Sequence, residues 1–223
     1  MRRRSLYRNT LIMLLLLAGC RQPVAVRVSV DPRLPAQAGV RVAEVVRAVL
    51  DLPAGAVAVV PLQESLEPFP SKLEELQSMT PELQRRALRE PWRHTLGILR
   101  TGQGLPLALV PELAPADRAA ALMLPDLAGL GLPAQASADG AGLVSDFPVA
   151  MLSWKAWTSQ TPAEQRRLVL HELGHAAGLP HDQRPGNAMA PQPGVGEAWL
   201  DVRQRARLDG LLRDLYETTR KGQ

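Results

Sequence analysis

The sequence predicts an α+β protein whose first half is α/β in type, built on a twisted, mostly parallel sheet. Three observations carry this. Between residues 24 and 60 an alternating apolar run, a helical stripe and a second β-branched run follow one another. Two further apolar runs of strand length, Leu105 to Val110 and Val149 to Leu152, come later. A helix with complete start and stop signals then lies between Thr161 and Gly178.

The chain opens on a basic stretch, Met1 to Thr10, followed by the seven-residue apolar run Leu11 to Leu17. That run is too short for a bilayer, which needs about 20 apolar residues, and the pattern is that of a secretory signal peptide. Its last residues, Leu17-Ala18-Gly19-Cys20, resemble a bacterial lipobox. The resemblance implies cleavage before Cys20 and lipid on its thiol and new amine. The expected layout is therefore a signal peptide over 1–19, a lipidated cysteine with a short tether over 20–23, and one folded domain over 24–223. The expected location is a bacterial cell envelope, outside the cytoplasm and anchored by lipid. Arg21 after the cysteine favours the outer membrane.

The folded part reads as follows. Val24, Val26, Val28 and Val30 alternate as a strand, which Pro32 and Pro35 end. Val42, Val45, Val46, Val49 and Leu50 form a helical stripe, closed by Pro53 and Gly55. Val57 to Val60 is a second strand, and the strand–helix–strand order suits a right-handed crossover into a parallel sheet. Residues 61–91 are proline-punctuated, with two short helical patches at Lys72–Gln77 and Pro81–Arg89, and read as an insertion or flap. Pro115 to Leu124 is expected to be a helix, and Gly129 to Ser145 a loop rich in Gly, Ala and Ser. Thr161 is the N-cap of the next helix, Pro162 its first residue and Glu164 the return partner of a capping box. Gly178 suits the left-handed turn that stops it. A last helix is expected over Asp201 to Tyr216, with Asp201 as N-cap.

That capped helix carries His171-Glu172-Leu173-Gly174-His175. Residues four apart share a helix face, so His171 and His175 can offer two imidazole nitrogens to one ion, and the turn at Gly178 can return His181 as a third. Three nitrogen ligands with one open position are the donor set of a catalytic rather than a structural zinc. A zinc held there would acidify water, and Glu172 is placed to take the proton and pass it to a leaving amine.

His171 to His181 as a whole fits HExxHxxGxxH, and the chain thereby resembles the metzincin peptidases. The resemblance implies a zincin fold: an upper subdomain with the sheet and active-site helix, and a small C-terminal subdomain with a Met-turn and final helix. The Met-turn falls on Asn187-Ala188-Met189-Ala190-Pro191, with Met189 packing beneath the metal without binding it. Met189 lies eight residues after His181, a spacing similar to the matrixin subgroup; Asp182 is more like adamalysins, whose disulfides this chain cannot form. Residues Asp139 to Pro148 resemble the matrixin loop that helps hold a structural zinc and calcium, but Ser145 stands where the loop's histidine would be. One catalytic zinc is therefore expected. Calcium at Asp139 is an alternative to the plainer reading of Asp139-Gly140 as a turn. The segment Gln192 to Trp199 is implied as the wall of the pocket beside the zinc, and the cysteine latency device of matrixins has no counterpart here.

Composition removes other classes. Arg2, Arg3, Arg4 and Arg8 account for four of the 26 basic residues, and the remaining 22 balance the 22 acidic ones, so no basic surplus survives for nucleic acid. With Cys20 as the single cysteine, the domain can form neither a disulfide nor a thiolate zinc site. Trp154 and Trp157 read as packing, and His94 as an ordinary surface or core histidine. The expected activity is that of a zinc endopeptidase acting on proteins or peptides, as a monomer held at the membrane through Cys20. The alternatives are a zincin-fold lipoprotein that binds or assembles without catalysis, and a hydrolase of some other amide.

Overall fold

The computed structural model describes residues 24–66, 80–113, 128–134, 137–138, 143–191 and 197–221. The lipobox with Cys20, the helix expected at 115–124, the Asp139 turn and most of the wall segment at 192–196 lie outside them. Among the described residues there are seven strands, β1 (Val26–Val30), β2 (Val57–Pro61), β3 (Leu105–Val110), β4 (Gly129–Leu132), β5 (Ser137–Ala138), β6 (Leu143–Val144) and β7 (Val149–Ser153). The α-helices are α1 (Ala38–Leu50), α2 (Pro81–Arg100), α3 (Trp154–Ser159), α4 (Pro162–Ala176) and α5 (Val202–Lys221).

Five strands make one sheet in the order β2-β1-β3-β7-β4, and β5 pairs with β6 separately. The first four run parallel, with Val28 level with Val59 and Leu107, and Leu109 level with Leu152. β4 is antiparallel to β7 and closes one edge, Leu132 facing Val149. The mixed α/β architecture and mostly parallel sheet expected from the sequence are thus present.

Strand alternation sends residues to two cores. Val26, Val28, Val30, Leu107, Leu109 and Leu152 pack with Val42 and Val46 of α1, Val169 and Leu173 of α4, and Leu208 and Leu212 of α5. On the other face Ala108, Val110, Val149 and Met151 pack with Trp92, Leu96 and Leu99 of α2. The final helix is therefore sewn to the first core, and Arg205 donates to the Val49 and Leu50 carbonyls at 3.2 and 2.9 Å, capping α1.

Two expectations need correction. The helical patch expected at Pro81–Arg89 is the start of a longer helix: α2 continues through Pro91 to Arg100. An internal proline costs about 3 kcal/mol, but Trp92, Leu96 and Leu99 are all buried, at roughly 1.5–3 kcal/mol each, and their burial outweighs it. Gly129–Ser145 is not a plain loop, because β4, β5 and β6 fall within it. β4 alternates glycine with leucine, so one of its faces carries no side chains, and α4 lies against that bare face.

Candidate metal centre

Helix α4 starts as its local chemistry dictates. The Thr161 hydroxyl accepts from the Glu164 N–H while the Glu164 carboxylate accepts from the Thr161 N–H at 2.8 Å, a complete capping box. The helix stops where Gly178 takes φ +76°, and the Leu179 N–H returns to the Gly174 carbonyl at 2.9 Å. This turn brings the chain back so that ligand atoms of His171, His175 and His181 all lie within 4.8 Å of one another. Among the described residues it is the one group of three or more such side chains arranged to hold a metal ion.

The tautomers follow from the partners. His171 Nδ1 lies 2.8 Å from the Ala188 carbonyl and His175 Nδ1 2.9 Å from the Leu179 carbonyl. A carbonyl only accepts, so each ring carries its proton on Nδ1 and presents a bare lone pair at Nε2. The two Nε2 atoms are 3.0 Å apart. Two lone pairs facing at that distance repel unless a cation or proton lies between them, and the His181 ring closes the third side, 4.7 Å from His175 and 5.3 Å from His171 between centroids. Burial, followed by the neighbouring His171, pushes His175 down to about 4, and burial also lowers His171. Both rings thus stay neutral, with the proton on Nδ1 and Nε2 bare, as ligands must be. The donor set fits a catalytic zinc, with three nitrogens on one side and Glu172 beside them.

Glu172 is buried, and its carboxylate has no hydrogen-bond or ion-pair partner among the described residues. Burial raises it to about 8. Its roof is β4. A Cβ on Gly129 would lie 2.6 Å from the Glu172 carboxylate, and one on Gly131 would strike the Glu172 carbonyl and come within 2.7 Å of His175 Cβ. The edge strand can approach the helix only because both positions are glycine.

Met189 is fully buried and its sulfur packs so closely on Gly174, which lies between the two histidines in the helix, that a Cβ there would clash with it. The turn is shaped by Asn187, whose side-chain oxygen accepts from the Met189 N–H at 2.8 Å. It is joined to the site twice, through the Ala188 carbonyl at His171 and through the Met189 carbonyl, which accepts from the Asp182 N–H at 2.9 Å. His171, Glu172, His175, His181 and Met189 therefore lie together in the folded chain.

Other residues stand as expected or are additional. Trp157 is buried and Trp154 half-buried beneath Arg41, so both are packing residues. His94 is exposed beside Glu64. Ser145 is buried with its hydroxyl donating to the Phe147 carbonyl at 2.5 Å, so it shapes the turn into β7. Motif spacing does not mark Gly129, Gly131 or Gly174. The period-two Gly-Leu alternation and a glycine inside a helix are the signals that mark close approach.

No protein-family model and no curated protein matches the chain. Among solved structures it is similar to an archaemetzincin from Methanopyrus kandleri, at 19% identity over 87% of this chain and 99% of that one, with a TM-score of 0.46. It is similar also to a zinc-dependent peptidase from Methanocorpusculum labreanum, at 18% identity over 82% and 100% of the two chains, with a TM-score of 0.41. Likeness this remote carries no chemistry across, and the residues of the centre have to supply it.

Proposed function

We propose that this chain is a zinc-dependent metalloendopeptidase of metzincin type, matrixin-like in the spacing of its Met-turn. One observation carries the reading: two histidines whose Nδ1 protons are committed to backbone carbonyls aim their Nε2 lone pairs at one point, with a third histidine and an unpaired glutamate around it. His171, His175 and His181 would hold the ion. Zinc so bound supplies a Lewis acid that polarises a carbonyl and makes water more acidic.

The chain's own groups do the rest. Glu172 takes a proton from water and returns it to the amine nitrogen as the peptide bond breaks, so that one carboxylate serves as base and then acid. Its burial suits the task, because a carboxyl raised by desolvation holds a proton more readily than a solvated one. The carbonyls of Ala188 and Leu179 fix the two rings and keep the Nε2 atoms deprotonated.

Location belongs to the same proposal. The lipobox-like Leu17-Ala18-Gly19-Cys20 supports a lipid on Cys20 and a domain in a bacterial envelope, acting on proteins or peptides close to the membrane. No helix among the described residues is long and apolar enough to cross a membrane.

The test is cleavage of a proteome-derived peptide library by the zinc-loaded chain, with Glu172→Ala as control. Cuts that vanish in the variant support the assignment and read out the pocket's preference. A folded protein that holds one zinc and makes no cut would leave only a binding role. Metabolic labelling with a fatty acid, lost in Cys20→Ser, checks the anchor.

A further inference from the structure

Two of the three histidines have their rings fixed by hydrogen bonds, whereas no hydrogen bond reaches the His181 ring among the described residues. Its place is set by the backbone of residues 177–189, and that backbone is held from one side by the start of α5. Asp201 caps α5, accepting from the Gln204 N–H at 2.8 Å, and its other oxygen takes Arg184 at 2.6 Å. Arg184 in turn grips Asp182, the residue after His181, at 2.9 Å. Gln204 donates to the Asp182 carboxylate at 3.1 Å and accepts from the Asn187 amide at 2.8 Å. Arg207 donates to the Ala177 carbonyl at 2.7 Å, with its guanidinium 2.8 Å from where a Cβ on Gly178 would stand. Three residues spaced three apart along one side of a helix thus grasp the loop before His181, just after it and at the Met-turn. Helix α5 is itself immobilised by Leu208 and Leu212 in the first core.

We propose that Asp201, Gln204 and Arg207 are positioning residues, a splint by which α5 fixes the third histidine relative to the other two. The inference rests on the zinc reading of the centre. Gln204 is the keystone, since it alone touches both the Asp182 and the Asn187 side chains.

The experiment compares the full-length chain with Gln204→Met, which keeps the side chain's length and loses all three of its hydrogen bonds, the third being the one its oxygen accepts from the Asp201 N–H at 2.9 Å. Zinc affinity is measured by chelator competition, and ligand geometry by the visible absorption of bound Co2+. Affinity is expected to fall about 10- to 100-fold, the usual effect of removing a group that orients a metal ligand, and the Co2+ bands to shift. Because the residue acts through His181, adding Gln204→Met to His181→Ala costs nothing further. Arg207→Ala gives a second, independent cycle with the same expectation, and Arg207→Lys, which keeps a donor for Ala177, restores most of the affinity. Unchanged zinc affinity in Gln204→Met, or a loss that adds in full to that of His181→Ala, overturns the splint and leaves the zinc site standing. A parent chain that binds no zinc overturns both.

Discussion

Replacing Gly131 by alanine separates two opposite effects that a glycine can have. The added Cβ would come within 2.7 Å of His175 Cβ and 2.9 Å of the Glu172 carbonyl carbon. Comfortable carbon contacts begin near 3.5 Å, so β4 and α4 must part by roughly 1 Å. The helix cannot yield, because Val169 and Leu173 bury its other side in the main core. The strand must move, and a ladder bond stretched by that much is lost. Two such bonds to β7 are worth about 1 kcal/mol each and local overpacking costs about 1–3 kcal/mol, against about 0.5–1 kcal/mol gained by removing a glycine from a strand. The net expectation is a loss of about 2–4.5 kcal/mol. Gly97 in α2 and Gly210 in α5 supply the contrast, for a Cβ at either meets nothing within 4 Å. There alanine should stabilise by about 0.5–1 kcal/mol. Urea denaturation midpoints of the three variants, with unchanged slopes, are the assay. Gly131→Ala matching the parent or joining the other two in stabilising would refute the close packing of β4 on Glu172 and His175.

Four further outcomes follow from named groups. Gly174→Ala sets a methyl against the Met189 sulfur, 3.1 Å from its Cε and 3.3 Å from Leu179 Cδ1, and the clash, about 1–3 kcal/mol, should cancel or exceed the helix-propensity gain of about 1 kcal/mol; a clear rise in melting temperature would contradict this. Met189→Ala should cost about 2–5 kcal/mol through the cavity left under α4, read in the same denaturation assay. Asp31 is buried; burial alone would raise its carboxyl, but hydrogen bonds from Arg33 and the Leu66 N–H, with the Arg33 charge, bring it below its ordinary value of 3.8. A depressed folded value means that its contribution is full above about 3.8 and disappears as pH falls through the lower folded value, so Asp31→Asn should be about 1–3 kcal/mol less stable at pH 7 and converge on the parent in acid. Stripping zinc with a chelator should abolish cleavage and lower the unfolding midpoint, and zinc held at 1,000 times its Kd should return about 4 kcal/mol; a midpoint indifferent to zinc would contradict a bound ion.

What could be read from the sequence was what is decided within a few residues. The capping box at Thr161 and Glu164, the glycine stop at 178 and the i,i+4 pair of histidines are all local, and each stands where its chemistry places it. β4 is hidden in the sequence because glycine judged locally says loop, while its reason for being glycine, Glu172 and His175, lies over 40 residues further on. The same holds for α2, where Pro91 says stop and only the sheet face that receives Trp92, Leu96 and Leu99 says continue. It holds again for Gln204 and Arg207, whose side chains look like the polar surface of an ordinary helix until the loop carrying His181 is folded against them. Metal ligands repeat a spacing because a helix imposes one. The groups that orient them reach across from α5 and need no fixed spacing, so a motif can name the donors of the centre while leaving unnamed the residues that decide how well they meet.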